Sequence, residues 1–201
     1  IDTTIPQISA PSDLRIEATH IDNNTIDLIG VRVSDQVEVS SITNDAPEAF
    51  PLGETIVTWT ATDTSGNSAS ATQTVTIVDT TSPVITQPDN VTVEATNQND
   101  NIIELALIES NDNTAIVSIT NDAPISFEFG TTIVNWTVID ISGNMSTLKQ
   151  EINVIDTTLP IITAPANVQA EATSMESNIV NYGFANASDQ VEVSSITNDA
   201  P

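Results

Sequence analysis

Six aspartates carry the chemistry to which this sequence is best suited. They form two sets at an interval of 77 residues, namely Asp2, Asp35 and Asp63, then Asp79, Asp112 and Asp140. Carboxylates on turns are typical ligands of a hard cation that takes six to eight oxygen atoms. Softer metals prefer thiolate and imidazole, and the chain has no cysteine and a single histidine. The pattern therefore predicts Ca²⁺ as the bound cation.

The order of the predicted strands brings each set together. In an antiparallel sandwich every connection reverses the chain direction, so that alternate turns lie at the same end. By this parity Asp2, Asp35 and Asp63 meet at the end where a preceding unit would dock. At the next junction we expect the opposite end of the first copy to add Asn44 or Asp45. Without an ion the carboxylates repel one another, so the junction is expected to be flexible without Ca²⁺ and stiff with it.

Two plainer interpretations of the acids stay open. Asp63 and Asp140 each begin an Asp-x-Ser-Gly-Asn turn, which such a residue shapes by local hydrogen bonds. The many other carboxylates, within a formal net charge of −25, serve solubility. The same charge disfavours binding to nucleic acid or to an anionic membrane.

Repeated landmarks define the domain organisation. Asp-Thr-Thr begins at Asp2, Asp79 and Asp156, and Glu-Ala-Thr and Ser-Ile-Thr-Asn-Asp-Ala-Pro keep the same step of 77 residues. A fixed period indicates one folding unit in tandem. We predict repeat 1 at residues 1–78, repeat 2 at 79–155 and a partial repeat 3 at 156–201. We expect these residues to be an excerpt from a longer array.

Period-two patterning predicts an all-β fold of tandem, antiparallel immunoglobulin-like sandwiches. The strands expected in repeat 1 cover residues 6–10, 14–19, 25–33, 37–43, 55–62 and 69–78. In the fifth of these, Val57, Trp59 and Ala61 alternate with polar residues, so the tryptophan is predicted to anchor the core, as is Trp136 in repeat 2. Residues 101–110 would tolerate a helix, but their position in the repeat favours a strand.

Catalysis finds little support in the sequence. The single histidine, His20, is replaced by Asn97 and Ser174 in the other copies, and no nucleophile–base set or phosphate-binding loop is evident. Lys149 is the only lysine, which argues against an isopeptide cross-link in each unit. We therefore predict a protein that is not an enzyme.

Five sequons would permit N-glycosylation of an exported chain. They begin at Asn23, Asn90, Asn135, Asn144 and Asn186.

The motifs resemble those of the hyalin repeat, or HYR domain. The resemblance rests on residues 6–11 (PQISAP), 50–67 (FPLGETIVTWTATDTSGN) and 75–79 (VTIVD), and on residues 129–144 (FGTTIVNWTVIDISGN) in the second copy. It implies an immunoglobulin-like sandwich and a role in extracellular adhesion. Many HYR domains carry a cysteine pair, whose positions are held here by Ala10 with Ala71 and by Gln87 with Leu148. Cysteine-free versions are similar to the repeats of large prokaryotic surface adhesins.

These observations predict a structural segment of an extracellular fibre, adhesin stalk or surface-layer protein, located at the cell surface and stiffened by Ca²⁺. Its partners would be neighbouring repeats, other copies in a fibre, or a cell-surface or matrix ligand, with no nucleic acid and no membrane insertion. One alternative is a carbohydrate- or protein-binding adhesion module, which would need an exposed aromatic cluster. Another is a filament subunit that is completed by strand donation between chains.

Overall fold

The computed structural model describes residues 2–199, and every regular element in that range is a β-strand. Two compact units are distinguished. The first holds the chain up to Thr86 with Glu109–Thr120 and Thr137–Thr147, and the second holds Gln87–Ile108, Asn121–Trp136 and the chain from Leu148. The residues described include no helix with the length and hydropathy needed to cross a bilayer.

Six strands form in repeat 1, and they pair in two sheets. They are β1 (Gln7–Ser9), β2 (Leu14–Glu17), β3 (Arg32–Ser34), β4 (Val39–Asn44), β5 (Gly53–Asp63) and β6 (Ser68–Val78). The larger sheet has the order β2-β6-β5-β4, and the smaller one pairs β1 with β3. The all-β, immunoglobulin-like fold is thereby confirmed.

One edge of the larger sheet departs from purely antiparallel pairing. The pairs β4–β5, β5–β6 and β1–β3 are antiparallel, whereas β2 runs parallel to β6, with Leu14 opposite Val75 and Glu17 opposite Val78. The ladder continues one residue further, where the N–H of Ala18 donates to the carbonyl of Val78 at 2.6 Å. The end of β2 consequently lies beside the residues that leave β6 for the next repeat.

The core is built by the alternating residues of the two longest strands. Val57, Trp59 and Ala61 of β5 and Val75 and Ile77 of β6 are all buried, as their spacing predicts. Trp59 is a core residue, and its indole N–H donates to Oε1 of the buried Gln73 at 3.2 Å. Trp136 repeats this arrangement with Gln150 at 3.0 Å and is also buried.

Repeat 2 follows the same plan, and the described part of repeat 3 contains two further strands. Repeat 2 contains β7 (Val84–Ile85), β8 (Val91–Glu94), β9 (Ser110–Asn111), β10 (Ile116–Asn121), β11 (Gly130–Asp140) and β12 (Met145–Ile155), with the sheet orders β10-β11-β12-β8 and β7-β9. β8 and β12 are again parallel. Repeat 3 pairs β13 (Ile161–Thr163) with β14 (Asn186–Ser188).

The strand predicted at residues 25–33 is wrong for most of its length, because the chain is irregular until β3 begins at Arg32. The strand predicted at 101–110 fails in the same way, with only an isolated bridge at Asn101 before β9 begins at Ser110. The register of β1 with β3 supplies the reason. The pairing would continue to Pro11, which has no N–H to donate, and the chain there leaves the small sheet to form β2 in the larger one. Residues 25–31 are left without a partner strand.

Candidate metal centres

Each predicted aspartate lies at the end of a strand or in the linker before one. In repeat 1, Asp2 precedes β1, Asp35 directly follows β3, and Asp63 is the last residue of β5. In repeat 2, Asp79 follows β6, Asp112 follows β9, and Asp140 ends β11. The equivalent connections of the fold therefore present one acid each in both repeats.

The structure brings the three acids of each set together. One carboxylate oxygen from each of Asp2, Asp35 and Asp63 lies within 4.8 Å of the other two, and the set of repeat 2 does the same. The second cluster is the more enclosed, since Asp79 is 8% exposed and Asp140 is 1% exposed. Like charges so close repel strongly when shielded from water, so the clusters require compensation by a cation or by hydrogen-bond donors.

Hydrogen-bond donors supply part of this compensation through the Asp-x-Ser-Gly-Asn turns. Oδ1 of Asp63 accepts the backbone N–H groups of Ser65 at 2.9 Å and Asn67 at 2.8 Å, while Oδ2 accepts the side-chain amide of Asn67 at 2.8 Å. Gly66 completes the turn at a φ of 90°, which glycine adopts without steric cost. Asp140 makes the same three bonds at 2.8–2.9 Å. The interpretation of these two aspartates as turn-forming residues is therefore correct.

Hydrogen-bond donors lower the pKa of two of the six acids, Asp63 and Asp79. Burial favours the neutral form of Asp63, but hydrogen bonds from the Asn67 side chain and from backbone N–H groups of the turn outweigh it, so that the pKa falls below its ordinary value. Burial likewise raises the pKa of Asp79, and bonds from Thr114, Ser142 and other donors lower it by more. Both groups are held as carboxylates at neutral pH.

Other oxygen atoms in the clusters have no donor. Oδ2 of Asp2, Oδ1 of Asp112 and Oδ1 of Asn113 are buried without a hydrogen-bond partner. Within residues 2–199, no lysine or arginine forms an ion pair with any of the six aspartates. A buried oxygen without a donor is costly, and all three atoms are acceptors of the kind that Ca²⁺ prefers. The side chains present thus fit a hard cation.

The first repeat reaches the second cluster through residues that the sequence did not indicate. The side-chain amide of Asn113 donates to the backbone carbonyl of Ala18 at 2.7 Å. Next to it, the carboxylate of Glu17 accepts the backbone N–H of Thr80, the residue after Asp79, at 2.7 Å.

The expectation that Asn44 or Asp45 would serve this junction is wrong. Oδ1 of Asp45 accepts the N–H of Thr58 at 2.6 Å, and Oδ1 of Asn44 accepts the N–H of Ala46 at 3.1 Å. Both side chains therefore shape the turn that follows β4. The sequence signal for the residues that do reach the junction, Glu17 and Ala18, is the Glu-Ala-Thr tripeptide to which they belong. It repeats with the same 77-residue step as the aspartates.

The five sequon asparagines differ in the solvent exposure and the hydrogen bonding of their side-chain amides. Asn23, Asn90, Asn135 and Asn186 are exposed. Asn135 nevertheless donates its amide to Asp122 at 2.7 Å. Asn144 donates its amide to the carbonyl of Asp79 at 3.1 Å and to Oδ2 of Asp140 at 2.8 Å. A glycan on Asn144 would therefore disrupt the second cluster, whereas Asn23 lies apart from both clusters in a turn after β2.

Comparison with known proteins finds a family match for part of this chain. Residues 1–77 match the family model of the HYR domain. The chain is 35% identical over 182 residues to hyalin of Strongylocentrotus purpuratus, covering 83% of this chain and 15% of that protein. It is 32% identical over 181 residues to hyalin of Lytechinus variegatus, covering 83% and 34% respectively. The chain thus spans about a third or less of the length of the hyalins that it matches.

Among solved structures, Drosophila N-cadherin EC1-4 matches with a TM-score of 0.39 and 13% identity, covering 76% of this chain and 50% of that one.

The HYR resemblance is thereby confirmed for repeat 1. The hyalin relatives are extracellular or cell-surface proteins, and this chain is assigned to the same compartment. It is an extracellular repeat module of the adhesion type, a class of domain that is not known for enzymatic activity.

Proposed function

We propose that this chain is a spacer segment of an extracellular fibre, stalk or surface layer, in which Ca²⁺ bound at the junctions of HYR-type repeats stiffens the array. The observation that supports it best is the second cluster. There Asp79, Asp112 and Asp140 converge, and buried oxygen atoms of Asp112 and its neighbour Asn113 have no donor. We retain the predicted repeat boundaries 1–78, 79–155 and 156–201 as part of this proposal.

The role of each residue of the second cluster follows from the segment to which it belongs. Asp79 belongs to the linker, Asp112 to the turn after β9 and Asp140 to the turn after β11, so that one site joins three separate segments. Bound Ca²⁺ would supply the positive charge that offsets their mutual repulsion. Asn113 ties the same site to the carbonyl of Ala18 in repeat 1. Fixing these groups to one another fixes the exit of the linker.

The first cluster would hold its ion in the same way through Asp2, Asp35 and Asp63. Asn67 connects its turn to the linker by donating to the backbone carbonyl of Asp2 at 3.3 Å. Repeat 3 carries the equivalents of the first two acids of such a set at Asp156 and Asp189. We also retain, on the ground that the chain has no cysteine, its similarity to the repeats of large prokaryotic adhesins.

Thermal unfolding with and without a chelator tests this proposal. At a Ca²⁺ concentration about 100 times the dissociation constant, binding to the folded state adds about 2.7 kcal/mol, which raises the melting temperature by several degrees. We expect Asp112→Asn, which removes one acid of the second cluster, to lose most of the rise in melting temperature that Ca²⁺ bound by Asp79 and Asp140 would cause. Asp13→Asn, outside both clusters, is the matched control and keeps it. Identical melting curves in Ca²⁺ and in chelator for the wild type would refute the proposal.

A further inference from the structure

Two tripeptides that repeat with the same period meet in space at each junction. Glu17 of the first Glu-Ala-Thr accepts three hydrogen bonds from the second Asp-Thr-Thr: from the N–H of Thr80 at 2.7 Å, from the hydroxyl of Thr80 at 2.9 Å and from the hydroxyl of Thr81 at 2.9 Å. Glu94 accepts the N–H of Thr157 at 2.7 Å and its hydroxyl at 2.9 Å. The contact therefore occurs twice, each time 63 residues apart along the chain.

The parallel edge of the sheet explains why the two tripeptides meet. Glu17 is the last residue of β2 and lies opposite Val78, the last residue of β6, so that it sits beside the linker as the linker leaves the sheet. Glu94 lies opposite Ile155 at the end of β12 in the same way. Had β2 run antiparallel to β6, the glutamate would lie at the other end of the repeat.

We propose that Glu17 and Glu94 are linker locks, which hold the following Asp-Thr-Thr segment in place without an ion and so position the first aspartate of the next cluster. Both carboxylate oxygens of Glu17 are already occupied by donors from Thr80 and Thr81. Glu17 also stands outside the acidic clusters found among residues 2–199. Its role is therefore that of a positioning residue and not of a metal ligand. That the held aspartate is a ligand rests on the function proposed above.

A second consequence concerns the apparent affinity of the cluster. The lock fixes the backbone of Thr80, the residue directly after Asp79, and thereby limits the arrangements that the cluster samples without an ion. If removal of the lock lowers the population of the competent arrangement to about a tenth, the apparent dissociation constant for Ca²⁺ rises by roughly tenfold. Loss of Asp79 itself would instead remove a ligand.

The test measures the junction directly in protein freed of metal by a chelator. Because the chain has no cysteine, the exposed pair Thr72→Cys and Thr147→Cys can carry two spin labels, one in each repeat. We expect Glu17→Ala to broaden the distribution of distances between the labels, relative to the otherwise unchanged labelled protein. Glu54→Ala, which removes an exposed glutamate elsewhere in repeat 1, is the matched control and leaves the distribution unchanged.

A second variant guards against a folding defect in the first. The pair Thr80→Val and Thr81→Val removes the hydroxyl donors but retains the backbone N–H, so an intermediate broadening is expected. If Glu17→Ala, the valine pair and Glu54→Ala all gave the wild-type distribution in chelator, the lock would be refuted.

A Ca²⁺ titration of the same proteins separates the two proposals. If the wild type binds no Ca²⁺, the proposed stiffening fails, while the distances in chelator still decide whether the lock exists. If the wild type binds Ca²⁺ and Glu17→Ala binds it equally well, the lock does not position the cluster.

Discussion

At the scale of single residues, Asp63 is held by its own turn even before any ion is considered. Its side chain is 2% exposed, yet three donors from Ser65 and Asn67 favour its ionised form. A carboxyl whose pKa is lower in the folded than in the unfolded protein stabilises the fold above the unfolded pKa. That contribution is lost as the pH falls through the folded pKa.

This sign gives a prediction for Asp63→Asn in chelator. Above about pH 5 the variant is expected to unfold more easily than the wild type, because asparagine accepts the turn's N–H groups less strongly than a carboxylate does. As the pH falls below the ordinary value of 3.8, protonation removes the advantage of the aspartate, and the two proteins converge. Urea unfolding between pH 2 and pH 7 measures the difference. A difference that stays constant over this range would contradict the account.

At the scale of the elements, a buried asparagine closes the connection after β2. Oδ1 of Asn24 accepts the N–H groups of Thr19 at 2.7 Å and His20 at 3.1 Å, and its amide donates to the carbonyls of His20 at 2.7 Å and Phe50 at 2.9 Å. Asn101 repeats the same arrangement in the second copy. One side chain thus satisfies backbone groups that no strand pairs.

Asn24→Ala should therefore be among the most damaging single changes in repeat 1. It removes four hydrogen bonds to buried or partly buried backbone groups, each worth about 1 kcal/mol, so we expect a loss of about 3 kcal/mol in the free energy of unfolding. Asn23→Ala, at the exposed neighbouring position, should change it by less than about 0.5 kcal/mol. Urea unfolding of both variants provides the measurement, and equal midpoints would contradict the role assigned to Asn24.

The elements differ in how well the sequence predicts them. The predicted strand 55–62 lies within β5, because strict alternation around Trp59 suits only a strand with one buried face. Residues 25–31 also contain residues that favour strands. Whether they pair depends on where β1 ends, and that is set by tertiary structure and not by the local sequence. The convergence of Asp2, Asp35 and Asp63 follows from the parity of the turns. The contact of Glu17 with the linker does not, because it needs the parallel register of β2.

At the scale of the whole molecule, the chain carries a net charge of −25 and has three basic residues besides its one histidine. Within residues 2–199, the sole close contact of a basic with an acidic side chain is that of His20 with Asp22 at 2.8 Å, on the surface. The negative charge of the aspartates at the junctions is therefore stabilised by hydrogen-bond donors within the chain. On our proposal, a cation from the medium neutralises it. An extracellular medium, the compartment of the hyalin relatives, would be the source of that cation.

The exposure of the aromatic side chains tests the alternative function, that of a carbohydrate- or protein-binding module. Phe184 is 92% exposed, whereas both tryptophans are buried in repeats 1 and 2. The aromatic platform that a carbohydrate-binding module would need is therefore not built from Trp59 or Trp136. The two well-packed repeats favour the spacer role.

Calorimetric titration of the whole chain with Ca²⁺ tests the central claim most directly, because it counts the sites and assigns them. The account predicts that the wild type binds at both clusters, that Asp35→Asn loses the site of repeat 1, and that Asp112→Asn loses the more enclosed site of repeat 2. Asp13→Asn should bind as the wild type does. A titration without binding heat or competition against a calcium indicator, or binding that survives both cluster substitutions together, would contradict it.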